Sequence, residues 1–317
     1  MPTILVLKDS MHGIPSSVCA TRLAETVPDA TVILAESPAE ELESIGECEI
    51  VVGGGLRDEL LSAADSLELF ACCSAGVDHL DLAEMGRRNI AVTNASGVHG
   101  PNIAEHVLGW FFMITRRLDE AMRRQERNEW RHFQAMGEFD GSRVAIVGLG
   151  EIGEAIVERL SGFNVDTVGI RYSPEKGGPT DEVYGFDDLP DALAGVDYVA
   201  IAAPLTEETR GLFGREEFRT LPTSAIVVNV GRGPIVDTDA LVDALQSNRI
   251  HAAGLDVTDP EPLPADHPLW DLGNAFITPH NAGHTPFYWH RVADILARNL
   301  ERVEESGSFS DLENQII

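Results

Sequence analysis

Short apolar or β-branched runs recur along the chain with helix-length stretches between them, and this alternation limits the fold more than any other feature. Ile4–Leu7, Thr31–Leu34, Ile50–Val52, Leu69–Cys72 and Ile90–Thr93 form a first series. Val144–Val147, Val165–Ile170, Tyr198–Ala202, Ile226–Val230, Ala252–Val257 and Phe276–Thr278 form a second. Runs of this kind predict parallel strands covered on both faces, so the chain reads as α/β with two doubly wound parallel sheets. Between the series, Pro101–Arg127 contains Ile103-Ala104-Glu105-His106-Val107-Leu108-Gly109-Trp110-Phe111-Phe112, too apolar for a solvated linker. It predicts one long buried helix, able to sit between subunits, and a last helix is expected over roughly Phe287–Glu305. At 317 residues the chain exceeds the usual single domain. Two α/β units joined by a helix predict a small-molecule site in a cleft between them.

Charge narrows the partners. Lys plus Arg number 23 and Asp plus Glu 52, a net charge of −29, which repels nucleic acid and anionic membrane. Only Lys8 and Lys176 are lysines; every other basic residue is arginine. An acid-rich, lysine-poor chain that is still 44% hydrophobic is no acidic disordered protein. It looks like a protein of halophile cytoplasm, where concentrated salt screens self-repulsion, and it is expected to loosen on desalting. Cys19, Cys48, Cys72 and Cys73 show no CxxC spacing and read as reduced thiols, with no metal site expected. The N-terminus lacks a basic segment followed by an apolar one. The apolar stretch Val107–Ile114 is far shorter than the ~20 residues of a membrane span. A soluble, cytoplasmic, unprocessed protein is expected.

Gly148-Leu149-Gly150-Glu151-Ile152-Gly153 fits GxGxxG, and it stands where that pattern carries meaning, after the strand-like Arg143–Val147 and before the helical Glu154–Leu160. Gly148 suits the tight turn, Gly150 leaves room for a pyrophosphate at the helix N-terminus, and Gly153 allows close helix–strand packing. Eighteen residues beyond Gly153, where a carboxylate would bind an adenosine ribose, stands Arg171. A guanidinium there, with Ser173 and Lys176 as further donors, matches a 2′-phosphate and predicts NADP(H) over NAD(H), with NAD(H) also accepted.

Arg232, Glu261 and His280 each follow a strand of the second series, so an open parallel sheet brings all three to the crevice that receives the dinucleotide. The guanidinium suits the carboxylate and keto oxygen of a 2-oxo acid. The imidazolium can protonate that oxygen as hydride arrives, and the glutamate can orient the imidazole and favour its charged form.

These segments carry a family resemblance. Asn229-Val230-Gly231-Arg232-Gly233-Pro234-Ile235-Val236-Asp237, Gly254-Leu255-Asp256-Val257 with Pro260-Glu261-Pro262-Leu263, and Thr278-Pro279-His280-Asn281-Ala282-Gly283 resemble, in order, the three signatures of the D-isomer-specific 2-hydroxyacid dehydrogenases. Ala75-Gly76-Val77-Asp78-His79 resembles that family's carboxylate-binding loop, Asn102–Glu105 its interdomain helix and Pro204-Leu205-Thr206 its cofactor loop. The resemblance implies reversible reduction of a 2-oxo acid to the D-2-hydroxy acid, with Arg232 binding substrate, His280 donating the proton and Glu261 its partner. It implies a cofactor-binding set of Gly148, Gly150, Glu151, Ile152, Gly153, Arg171, Ser173, Pro204, Val230 and Asp256, the last near the nicotinamide. Substrate would meet Ala75, Gly76, Val77, Arg232 and His280. The implied architecture is a flavodoxin-like substrate domain, residues 1–98 plus 285–317, into which a Rossmann domain, 99–284, is inserted. A homodimer through the apolar helix is also implied. Arg171 departs from the acidic residue of NAD-preferring members.

Three other readings share the fold. A nucleotide-sensing co-repressor would not need the intact triad, and a formate dehydrogenase would carry glutamine in place of Glu261. A phosphoglycerate dehydrogenase calls for several basic residues in the first domain, where Arg57 is one candidate; a glyoxylate/hydroxypyruvate reductase fits without them. His99 and His106 stand seven apart and read as packing on one helix face, not as metal ligands. By family position His79, His284, Tyr288 and Trp289 approach the substrate.

Overall fold

The computed structural model describes residues 2–133 and 136–317. The chain divides into two compact units, Met1–His99 with His284–Ile317, and Gly100–Gly283.

In the first unit, strands β1 (Thr3–Val6), β4 (Thr31–Leu34), β5 (Ile50–Gly53), β6 (Leu69–Cys72) and β7 (Ala91–Thr93) form a parallel sheet in the order β4-β1-β5-β6-β7. This is the flavodoxin-like order. A hairpin of β2 (Ser10–Met11) and β3 (Ile14–Pro15) follows β1. Helices α1 (Ser17–Thr26), α2 (Pro38–Ser44), α3 (Asp58–Ala63) and α4 (Leu82–Arg87) connect the strands, and α11 (Tyr288–Ser306) packs on α1. Alternate residues of each strand face opposite layers: Ile4, Val6, Ile50 and Val52 bury in one cluster, Leu5, Leu7 and Val51 in the other. Both faces are therefore dry, which is why these strands read as continuous apolar runs.

The second unit opens with α5 (Gly100–Thr115) and α6 (Leu118–Glu126) and carries β8 (Arg143–Val147), β9 (Asp166–Ile170), β10 (Glu182–Tyr184), β11 (Tyr198–Ile201), β12 (Ile226–Asn229), β13 (Ala252–Leu255) and β14 (Ala275–Ile277). Its sheet is parallel throughout in the order β10-β9-β8-β11-β12-β13-β14, the Rossmann order extended by one strand. Helices α7 (Glu151–Leu160), α8 (Leu189–Leu193), α9 (Arg215–Thr220) and α10 (Thr238–Gln246) link the strands, and α5 packs on α7. Ala145 and Val147 bury on one face of the sheet, Val144 and Ile146 on the other.

The single long helix expected over Pro101–Arg127 is two helices. Arg117 adopts a left-handed backbone, φ +51°, and separates them. The first buries Ile103, Ala104, Val107, Leu108, Phe111 and Ile114, whereas the second buries nothing. The expectation of burial therefore holds only for the first. Nor do His99 and His106 share a helix face, since α5 starts at Gly100. All four cysteines are free and buried, and burial pushes the Cys19 thiol up to about 12. No helix among the described residues is long and apolar enough to cross a membrane.

Candidate active site

The glycines of 148–153 behave as the motif requires. Gly148 sits at φ +95°, and a Cβ there would lie 2.6 Å from the Ala203 backbone. A Cβ on Gly153 would come within 2.0 Å of the Gly148 carbonyl oxygen, so only glycine lets α7 lie this close to the turn. Gly150 caps α7, and its missing side chain faces open space. That bare helix N-terminus, with unsatisfied N–H groups and a positive dipole end, fits a pyrophosphate. Beside it lies a cavity of about 480 Å³ whose lining includes Gly150, Arg171, Ser173, Lys176 and Pro204. The Arg171 guanidinium donates to the Gly177 carbonyl at 2.7 Å and has no carboxylate partner among the described residues. Glu151 and Ile152 stand in the first turn of α7. Val230 is buried in the core cluster beside β12.

The carboxyl ends of β12, β13 and β14 carry the rest. Asn229 fixes the turn after β12: its Oδ1 accepts the Gly231 N–H at 3.0 Å and its Nδ2 donates to the Arg232 carbonyl at 3.1 Å. The Arg232 guanidinium donates to the Gly231 carbonyl at 2.8 Å and forms no ion pair with a described residue. After β13, Glu261 lies between two cis peptide bonds, Asp259–Pro260 and Glu261–Pro262. After β14, His280 takes a left-handed backbone at φ +51°. Its Nδ1 lies 2.6 Å from Glu261 Oε1, and the two side chains remain 48% and 40% exposed. A cavity of about 360 Å³ is lined by this pair together with Asp256, Pro262, Trp270 and Thr278. A carboxylate on Nδ1 fixes the imidazole's orientation and leaves Nε2 to give or take a proton.

Beneath this pair lies a hub invisible to the motif. Asp256, 3% exposed, accepts the Thr278 hydroxyl at 2.6 Å on Oδ1, the Asn281 N–H at 3.0 Å on Oδ1 and the Ala282 N–H at 2.9 Å on Oδ2. Its own carbonyl accepts the His280 N–H at 2.8 Å. A buried carboxylate so supplied with donors is fixed in place and ties down the turn that carries His280. The resemblance gives Asp256 a place near the nicotinamide; here its two oxygens are engaged in holding the turn.

In the first unit, the loop after β6 exposes Ala75 and Gly76. Its carbonyls are held: Ala75 O accepts from Asn94 Nδ2 at 2.6 Å and Ser74 O from the Ala95 N–H at 3.1 Å. The N–H groups of Ala75, Gly76 and Val77 have no acceptor among the described residues. His79 Nε2 lies 2.5 Å from the Gly54 carbonyl. Trp289 is buried and donates to Ile14 O at 2.8 Å, and the buried Tyr288 hydroxyl donates to Cys73 O. Sequence reasoning did not foresee what surrounds Tyr288: His12 stacks on His284 at 4.2 Å and lies 5.7 Å from His99. Burial, then the neighbouring His284 and His99, lower the pKa of His12. Arg57 caps α3 and pairs with Glu41 at 2.9 Å and Glu59 at 3.1 Å, an ordinary ion-pair role.

Comparison with known proteins agrees with this geometry. A family model described as "D-isomer specific 2-hydroxyacid dehydrogenase, NAD binding domain" matches residues 108–282. The glyoxylate/hydroxypyruvate reductase B of Citrobacter koseri is 33% identical over 314 residues, 94% of each chain. The chain belongs to the D-isomer-specific 2-hydroxyacid dehydrogenase family. The glyoxylate reductase of Thermofilum pendens is 38% identical over 250 residues, 76% of this chain and 73% of that protein. A D-isomer-specific 2-hydroxyacid dehydrogenase from Xanthobacter autotrophicus, solved with NADPH, superposes with a TM-score of 0.76 at 27% identity, covering 100% of this chain and 98% of that one. The protein is thus an oxidoreductase that reduces 2-oxo acids with NAD(P)H.

Proposed function

We propose that this dehydrogenase reduces small 2-oxo acids, glyoxylate and hydroxypyruvate foremost, to D-2-hydroxy acids, with NADPH preferred and NADH accepted. The observation that carries the reading is the 2.6 Å His280–Glu261 pair, on the same sheet edge as an Arg232 guanidinium without a carboxylate partner among the described residues. Bound NAD(P)H supplies the hydride to the carbonyl carbon. Arg232 holds the substrate carboxylate and polarises the keto oxygen. His280, charged and oriented by Glu261, gives its Nε2 proton to that oxygen, and in the reverse direction takes it back. The N–H groups of Ala75, Gly76 and Val77, without an acceptor among the described residues, suit a substrate carboxylate, and the first unit serves as the substrate domain. Gly148, Gly150 and Gly153 with Glu151 and Ile152 hold the pyrophosphate at the start of α7, with Pro204, Val230 and Asp256 lining the remaining cofactor path.

NADPH preference rests on Arg171, Ser173 and Lys176 lining one cavity with Gly150, with an arginine rather than a carboxylate directly after β9, where a ribose diol would be bound. A small substrate is supported by the names of the two relatives, a glyoxylate/hydroxypyruvate reductase and a glyoxylate reductase. The homodimer forms through the exposed segment after α5, where Leu118, Met122 and fully exposed Trp130 stand clear of their own unit. At a net charge of −29 the fold requires concentrated salt, as a cytoplasmic protein of a halophile would.

The test is loss of NADPH or NADH absorbance in multimolar KCl with glyoxylate, hydroxypyruvate, pyruvate, 2-oxoisocaproate and phenylpyruvate. Highest kcat/KM for glyoxylate or hydroxypyruvate with NADPH is expected. A best rate with phenylpyruvate, or equal efficiency with NADH, would overturn the substrate or the cofactor assignment respectively.

A further inference from the structure

Behind the Asp256 hub lies a chain of side chains that the reaction as described does not use. His106 and Trp110 stand one turn apart on α5. Trp110 Nε1 donates to His106 Nε2 at 2.9 Å. The same Nε2 lies 3.1 Å from Thr278 Oγ1, which is itself 2.6 Å from Asp256 Oδ1. An indole N–H can only donate, so His106 Nε2 carries a lone pair here and the imidazole is the neutral form protonated on Nδ1. Burial favours the same state, holding the His106 pKa below the ordinary histidine value against the pull of Asp256.

Thr278 has one hydroxyl proton and two acceptors within reach, His106 Nε2 and Asp256. The indole decides between them. With Trp110 filling the Nε2 lone pair, the Thr278 proton stays on the carboxylate, and Asp256 keeps three donors on its two oxygens. Trp110 is fixed in turn by β13, since a Cβ on Gly254 would come within 2.8 Å of its ring. From Asp256 the constraint passes to the backbone of Asn281 and Ala282, and so to the strained turn that aims His280 at Glu261.

We propose that Trp110 is a positioning residue for the proton donor, acting by occupying the His106 Nε2 lone pair and so steering the Thr278 hydroxyl onto Asp256. The inference rests on the reading of His280 as that donor. Its prediction concerns kcat, because the pyrophosphate turn Gly148–Gly153 and the Arg171 cavity lie elsewhere on the sheet, and Asp256 keeps its place on the cofactor path through its bonds from Asn281 and Ala282.

The most telling variant is Trp110→Phe, which keeps a ring over Gly254 and removes only the N–H. It is expected to lower kcat about tenfold while the NADPH dissociation constant, read by fluorescence titration, and the KM for 2-oxo acid stay within about twofold. His106→Leu, which removes the competing acceptor, should keep kcat within about twofold of wild type, and added to Trp110→Phe it should restore the lost turnover. Thr278→Val should match the Trp110→Phe loss, and the double variant should be no worse than either single one, because all act on one bond. The inference is overturned if Trp110→Phe turns over within twofold of wild type while His280→Ala is inactive. It is equally overturned if His106→Leu fails to restore turnover to Trp110→Phe, or if the Trp110 and Thr278 losses multiply. Full turnover by His280→Ala would instead remove the reading on which it rests.

Discussion

The seven-stranded sheet ends in side chains and the five-stranded sheet ends in backbone. At the carboxyl edge of β12–β14, Arg232, Glu261 and His280 present a guanidinium, a carboxylate and an imidazole, the first on a turn fixed by hydrogen bonds from Asn229 and the last on one held by Asp256. At the edge beyond β6, the loop 74–77 offers N–H groups of residues whose side chains are small, its carbonyls tied by Asn94 and Ala95. Chemistry carried by side chains needs a rigid turn beneath it, and each such turn is vulnerable to one substitution. Recognition carried by backbone N–H groups survives changes of side chain and fails only when the chain path moves.

Substitutions divide accordingly. Arg232→Ala, which removes the donor fork and leaves the fold alone, should lower kcat/KM for 2-oxo acids on the order of 10³-fold, checked by steady-state NADPH oxidation. Gly148→Ala meets both a positive φ and the Ala203 backbone at 2.6 Å. It should cost about 2 kcal/mol or more of stability and abolish cofactor binding, read by thermal unfolding and NADPH titration. Arg171→Ala should reduce the ratio of NADPH to NADH efficiency by roughly tenfold or more without changing the rank of substrates. Gly76→Ala in the backbone loop has a negative φ and no atom within 4 Å of its new Cβ. Its effect on substrate KM should stay within about twofold, and a large loss would mean that this loop also works through shape rather than through N–H groups alone.

Acid should expose the histidines of both units. His12 and His106 have lowered pKa values when folded, His12 by burial and by His284 and His99, His106 by burial against Asp256. The unfolded chain therefore takes up these protons first. Stability is full above the ordinary histidine value of 6.5 and is lost as pH falls from there through the depressed folded values. His12→Asn should flatten that decline in unfolding curves taken at constant KCl. Burial pushes the Cys73 thiol and the Tyr288 hydroxyl near the same hairpin up, so both keep their protons across this window and leave its sign unchanged.

How much of this was readable in advance follows from how local each signal is. The apolar runs predicted the long strands because a sheet covered on both faces favours apolar residues through the middle of its strands and leaves polar ones to their ends. The three-residue β10 and the two-residue strands β2 and β3 were missed, being too short to carry a pattern. The glycines of 148–153 were legible one by one, since each answers a steric demand of neighbouring residues. Arg117 was not, because its left-handed φ replaces the glycine or asparagine that marks such breaks. The Glu261–His280 pair was expected from the resemblance. The Asp256 hub was not, since Thr278 and His106 are 172 positions apart and only the packing of α5 on the sheet brings them together. His106 looked like a packing partner of His99 on sequence spacing alone. In the fold, His99 precedes the helix and joins the His12 and Tyr288 cluster instead.

The central claim is that the His280 imidazole, held by Glu261, delivers the proton while the nicotinamide delivers the hydride. Its most direct test is single-turnover oxidation of prebound NADPH by hydroxypyruvate in multimolar KCl, comparing wild type with His280→Ala. The account predicts that the variant binds NADPH as the wild type does and loses about 10²- to 10⁴-fold in the rate of NADPH oxidation. A variant that binds cofactor and still transfers hydride at the wild-type rate would contradict it.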